Sequence, residues 1–192
     1  MNKLFISIGF AVMVLAQWFV PGKMILDQER VLAEGTSYKF RTRPIDPSDP
    51  LRGKYITLSY EMNKAKWIGE APVNWKDNVY VYLKKDKNGF AQATQASNKP
   101  LKTDQEYVVA QGYGVYNDSI NFQLSFTRFY MEESKAYPAE LAVQQAASDS
   151  LLDNCYGLVF IKNGSAVLEN VFVNDTPIKE YVEEGQQKNA NL

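Results

Sequence analysis

Residues 156–174 read YGLVFIKNGSAVLENVFVN, two apolar runs that meet at Asn163-Gly164. Asn-Gly between such runs is the strongest short-range signal for a β-hairpin, because the turn that matches strand twist needs positive φ at both central residues. Two further hairpins flank it. NVYVYLKK (78–85) sets Val79, Val81 and Leu83 on one face and Tyr80 and Tyr82 on the other, and Lys87-Asn88-Gly89 returns the chain into FAQATQAS. EYVVAQGYGVY (106–116) passes through Asn117-Asp118 into SINFQLSFTRFYM, where Ile120, Phe122, Leu124 and Phe126 alternate. Upstream, TSYKFRTR (36–43) alternates Tyr38 and Phe40 with polar residues, as a half-buried strand requires. Three hairpins in one chain predict a mainly β domain, an antiparallel barrel or sandwich. ESKAYPAELAVQQAASD (133–149) breaks the pattern: Pro138 suits a first helical turn, and Leu141 and Val143 are candidate core contacts. It predicts one inserted helix.

Composition narrows the chemistry. The chain has 192 residues, 45% hydrophobic and 22% charged, enough for a packed core. Lys and Arg number 21 against 22 Asp and Glu, so there is no electrostatic case for nucleic acid, whose phosphates demand clustered cations. Twelve tyrosines and ten phenylalanines suit pleated strands. The absence of histidine removes His-dependent nucleophilic catalysis and His-ligated metal sites. The single cysteine, Cys155, has no internal disulfide partner and reads as a buried structural thiol. No metal or cofactor is expected: no acidic spacing resembles a calcium loop, and Gly112-Tyr113-Gly114 lacks the rest of a nucleotide fingerprint.

The amino-terminal stretch MNKLFISIGFAVMVLAQWFV runs apolar from Leu4 to Ala16 after Lys3, then continues through Trp18, Phe19 and Val20 to Pro21. A segment without a polar face is directed to a membrane. Val14-Leu15-Ala16 offers a cleavage site for a removed signal peptide; otherwise residues 4–20 remain as an anchor in the lipid bilayer, with Trp18 at headgroup level. The retained anchor is preferred, continuing through KMILDQERVLAEG as a stalk with Ile25, Leu26, Leu32 and Ala33 on one face and Gly35 as its stop. The expected organisation is an anchor and stalk over 1–34, a β-rich extracytoplasmic domain over 35–182 and a polar tail over 183–192. The expected location is the cell (inner) membrane, with the main domain on the far side from the cytoplasm.

One stretch invites a functional reading: RPIDPSDPLRGKYITLSY, residues 43–60. Its prolines force Arg43, Asp46 and Asp49 into extended or turn conformations, and Asp46 and Asp49 can accept backbone hydrogen bonds there. Gly53 permits a tight corner before a strand that sends Ile56, Leu58 and Tyr60 to one face and Tyr55, Thr57 and Ser59 to the other. RGKYITLSY resembles the defining motif of the GDYXXLXY family of bacterial envelope proteins: Gly53, Tyr55, Leu58 and Tyr60 match, while Lys54 replaces the motif's aspartate. The resemblance implies a membrane-anchored extracytoplasmic domain working beside a multi-pass membrane protein, and it implies no activity.

Three functional readings follow. In the first, the chain is a binding or accessory subunit whose surface comprises Arg41, Arg43, Asp46, Asp49, Arg52, Gly53, Tyr55 and Tyr60. Guanidinium groups there can hold a carboxylate or phosphate beside a stacking tyrosine, or can simply lock the loop against its aspartates. Arg128 and Glu133, with Glu132, form a second candidate at a strand end. In the second reading, PSDPLRGKYITL has a loose likeness to the serine box of signal peptidases, with Ser48 as nucleophile and Lys54 or Lys84 as its base. In the third, Asp46 with Glu133 or Glu61 forms a carboxylate pair for glycoside chemistry, with aromatic residues lining a sugar groove rather than packing sheets. The accessory role is preferred.

Overall fold

Asn163 and Gly164 turn the chain with φ of 50° and 83°, the doubly positive pair that a two-residue hairpin loop needs. In this computed structural model they join β10 (Cys155–Lys162) to β11 (Ser165–Val173), and Lys162 pairs with Ser165 across the turn. The structure describes residues 3–43, 55–69, 73–132, 135, 138–139, 142–143 and 155–190. Asn117 and Asp118 repeat the doubly positive turn between β7 (Tyr107–Tyr116) and β8 (Ser119–Leu124). The third expected hairpin joins β5 (Asp77–Lys85) to β6 (Ala91–Ser97). There the Asp86 carboxylate accepts the N–H of Asn88 at 2.8 Å and of Phe90 at 2.9 Å, and these two bonds help hold its carboxyl below the ordinary carboxylate range.

The strands form a closed barrel, a separate sheet and a small ribbon. The barrel runs β4 (Lys64–Trp67), β6, β5, β7, β8 and closes where β8 pairs with β4. It is not wholly antiparallel, because β4 and β6 run parallel, with Lys66 opposite Gln95. Val79, Val81, Leu83, Val108, Ile120, Phe122 and Leu124 are buried. Tyr82 is fully buried too, although alternation places it opposite Leu83. A bulge between Tyr82 and Leu83 breaks the register with β6, and the Leu101 N–H donates to the Tyr82 hydroxyl at 2.6 Å. The second sheet orders β12 (Thr176–Pro177), β11, β10, β1 (Thr36–Arg43) and β3 (Ser59–Tyr60). The ribbon pairs β2 (Tyr55–Thr57) with β9 (Arg128–Tyr130). One continuous hydrophobic cluster links all three, from Phe40 and Leu58 to Val81, Ile120 and Val171.

Helix α1 (Lys3–Glu34) runs unbroken with Pro21 inside it, and Leu4–Glu34 has a mean hydropathy of 2.0 in its most apolar window, none of which is buried. It is long and apolar enough to cross a membrane. The stop falls as expected: the Gly35 N–H donates to the Val31 carbonyl at 2.9 Å. The docked face differs. Val31 is buried while Ile25 and Leu26 stay exposed, because the helix meets β10 and β11 near its carboxyl end, where Asp27, Gln28 and Val31 border one cavity with Ser165 and Val167. A Lys162–Glu34 ion pair closes this joint.

At the carboxyl end, helix α2 (Ile178–Ala190) runs through most of the polar stretch that begins at residue 183, anchored by buried Ile178 and Val182 one turn apart. Lys135 bonds Glu183 at 2.5 Å from the inserted segment. That segment is helical at Lys135, Pro138, Ala139, Ala142 and Val143, with Ala139, Ala142 and Val143 buried; Leu141 lies outside the described residues.

Candidate functional site

The strand that begins at Tyr55 serves two sheets. Its first half, β2, pairs with β9, and its second half, β3, pairs with β1. Leu58 is the handover, its N–H donating to the Thr127 carbonyl at 2.8 Å between the two ladders. The period-two expectation holds: Ile56, Leu58 and Tyr60 are buried, while Tyr55, Thr57 and Ser59 lie half-buried on the opposite face.

Tyr60 is therefore a core residue. Its hydroxyl donates to the Phe126 carbonyl at 2.8 Å, and its ring lies 5.8 Å from Phe40 and 5.2 Å from Phe126. Burial pushes the phenol far above its ordinary range, so it remains a neutral donor. Gly157 makes room for it: a Cβ there would meet the Tyr60 hydroxyl at 3.2 Å and Leu168 Cδ1 at 3.0 Å. Leu58 and Tyr60 thus hold the fold, which leaves Tyr55 as the motif side chain with an accessible face.

Tyr55 meets the second candidate segment. In the ribbon Tyr55 pairs with Tyr130 and Thr57 with Arg128. The Tyr55 and Tyr130 rings are 5.4 Å apart, and the Arg128 guanidinium carbon lies 5.2 Å from the Tyr55 ring centre. Tyr130 is 64% exposed. A cavity of about 350 Å³ opens beside Arg128 and Tyr130, with Glu169, Asn170 and Lys179 on its far wall. Arg128 and Lys179, the Glu169 carboxylate and the Tyr55 and Tyr130 rings together make a surface of mixed charge and aromatic character. Tyr130 and Lys179 were not singled out from sequence. Tyr130 is set opposite the motif tyrosine by the β2–β9 register, which only the structure reveals, and Lys179 is brought in by the first turn of α2, a helix the sequence reading did not expect within the 35–182 domain.

The remaining sequence candidates divide. Arg43 lies in β1 with its backbone paired to Ser59, and its side chain lies outside the described residues. Asp46, Asp49, Arg52, Gly53 and Glu133 lie outside the described residues, as do Ser48 and Lys54 of the peptidase reading. Lys84, the other base considered there, is solvent-exposed on β5 and so lacks the desolvated setting that activates a lysine. The peptidase reading has no support.

A second cation–aromatic cluster takes up Arg41, which the sequence reading grouped with the Arg43–Tyr60 surface, and joins it to residues that reading did not single out. Arg41 lies 3.8 Å from the Phe90 ring centre and 3.5 Å from the Asp86 carboxylate. Lys39 lies 4.6 Å from the Tyr156 ring and 3.8 Å from Asp175, which accepts the Tyr156 hydroxyl at 2.8 Å. Burial first, and the Asp175 carboxylate second, push the Tyr156 phenol up. With the Lys39 N–H donating to the Gly89 carbonyl at 3.1 Å, this cluster rivets β1 to the β5–β6 hairpin. It is a structural joint between sheet and barrel.

A family profile described as GDYXXLXY protein matches residues 17–171, most of the chain. No curated protein and no solved structure matches it.

Proposed function

The chain belongs to the GDYXXLXY protein family, and on that premise we propose that it is a membrane-anchored accessory subunit of the cell envelope that binds a multi-pass membrane protein. The observation that carries this reading is the continuity of α1. Its apolar stretch leaves Leu4, Phe5, Leu15, Trp18 and Phe19 exposed, a surface that water disfavours and lipid covers. Its last turn is docked on β10 and β11 through Val31. A domain held so close to its anchor reaches partners in or at the bilayer. The ribbon of Tyr55, Arg128 and Tyr130 is the contact surface, since aromatic and arginine side chains anchor protein interfaces. On this proposal α1 anchors the chain in the inner membrane and the β domain, which follows it directly, lies on the extracytoplasmic side.

Crosslinking and pull-down from solubilised membranes test this, comparing wild type with a Tyr55→Ala/Arg128→Ala variant. A multi-pass protein captured by wild type and lost in the variant is expected. Recovery of the same proteins by both baits makes the ribbon structural and sinks its role. Fusion of alkaline phosphatase after α2 tests sidedness: an active fusion is expected, and an inactive, stable one places the domain in the cytoplasm.

A further inference from the structure

Alongside the motif strand, next to the ribbon, lies a groove of about 340 Å³ between β2, β3 and the barrel strand β8, lined by residues from both faces of that strand. We infer that this groove is a binding site for a neutral oligosaccharide. Its floor is apolar, made by Leu58, Phe122 and Leu124. Its rim carries Thr57, Ser59, Asn63, Gln123 and Thr127, and none of its lining residues is charged. The side chains of Thr57, Ser59, Asn63 and Thr127 make no hydrogen bond within the protein among the described residues, so their polar atoms are left to solvent or ligand. Gln123 is held differently. Its Oε1 accepts the Tyr113 hydroxyl at 2.7 Å, which fixes the amide and leaves Nε2 as a donor. Tyr113 in turn packs edge-on against Trp75 at 4.8 Å, and Trp75 is 73% exposed.

The chemistry of this rim selects its ligand. Phosphate, carboxylate and ammonium groups are recognised through charge-assisted bonds, and the groove has no charge to offer. An acyl chain would strip water from five polar groups and pair none of them. Hydroxyls and carboxamides both donate and accept, which matches a ligand dense in hydroxyls. The apolar part of the lining suits the C–H face of a pyranose. The volume falls within the range of about 300–1,000 Å³ usual for small-ligand clefts.

Titration calorimetry tests the inference on the full chain in zwitterionic micelles, free of sugar-headed detergents that would compete. The probes are cellotetraose, maltotetraose and chitotetraose. Saturable heat with at least one of them is expected, with a dissociation constant on the order of 1 mM or tighter. Thr57→Val with Thr127→Val keeps side-chain volume and removes two hydroxyls, and should weaken that binding about tenfold. Gln123→Met, on an exposed position of β8, provides an independent variant with an expected loss of about fivefold. Absence of saturable heat with all three sugars up to about 20 mM overturns the inference, as does unchanged affinity in both variants. The groove shares β2 with the ribbon but is not lined by Tyr55, Arg128 or Tyr130, so a negative titration leaves the crosslinking outcome standing.

Discussion

Replacing Tyr60 by Phe isolates one interaction at the centre of the motif strand. The ring remains, with its contacts to Phe40 and Phe126 at 5.8 and 5.2 Å. Only the hydroxyl goes, and with it the 2.8 Å bond to the Phe126 carbonyl. That carbonyl then loses its partner in a buried setting, at a cost of about 1–3 kcal/mol. For a domain of this size each kcal/mol lowers the melting temperature by about 2–4 °C, which predicts a fall of about 2–12 °C. Near-ultraviolet circular dichroism of the full chain in micelles is the suitable assay, because α1 stays helical in detergent and would mask a far-ultraviolet signal. Gly157→Ala adds a second arm. Its new methyl meets the Tyr60 hydroxyl at 3.2 Å, so the Ala substitution should cost less in the Tyr60→Phe background, with a coupling of about 0.5–1 kcal/mol. A melting temperature within about 1 °C of wild type, with additive double-mutant effects, would refute the assignment of Tyr60 as a hydrogen-bonded strut.

Gly164→Ala should destabilise by about 2 kcal/mol or more, since φ is 83° and the new Cβ would lie 2.5 Å from Tyr107; a urea midpoint unchanged from wild type contradicts the turn geometry. Burial pushes the Cys155 thiol up to about 11 from 9.0, against a smaller opposing effect of Thr42. Native Cys155 should resist Ellman's reagent until the protein unfolds. The native state holds this proton more tightly than the unfolded chain, so the contribution to stability is full below the ordinary thiol pKa and is lost as pH climbs through the folded value. Urea midpoints of wild type against Cys155→Ala should therefore converge across that alkaline window, and parallel curves would contradict it. Tyr55→Ala with Arg128→Ala, both at the surface ribbon, should shift stability by about 1 kcal/mol at most, so denaturation midpoints can establish that any lost crosslink reflects recognition rather than unfolding.

Turn chemistry and alternation made much of the fold legible. Asn163-Gly164 and Asn117-Asp118 sit where their doubly positive φ values require, and Ile120, Phe122, Leu124 and Phe126 all face inward. A third turn of the same kind, Asn174-Asp175, has φ of 51° and 61° and adds β12 to the sheet. It was passed over because the following strand is only two residues long and carries no alternation to read. The parallel β4–β6 pair is invisible locally, since the partnership of residues as far apart as Lys66 and Gln95 depends on closing the barrel. Tyr82 and the α2 helix failed for the same reason: a bulge and a two-residue anchor, Ile178 and Val182, override the local pattern. Of the candidate site, sequence named Tyr55 and Arg128 but assigned them to different places, because their meeting depends on the β2–β9 register. The groove rim draws on Thr57, Ser59, Asn63, Gln123 and Thr127, residues unremarkable until three strands bring them together.

At about 1.5 Å per residue, the 32 residues of α1 span about 48 Å, against a hydrocarbon layer of about 30 Å. What is left over, about 18 Å, is more than twice a headgroup layer of roughly 5–8 Å, so α1 is long enough to carry the domain clear of the lipid surface. Because α1 enters the β domain without a loop, the molecule has no tether on which to swing. On the proposed anchored arrangement, its remaining freedom is rotation about the mast and whatever tilt the lipid allows, so a ligand or partner would meet the domain at a height set by α1.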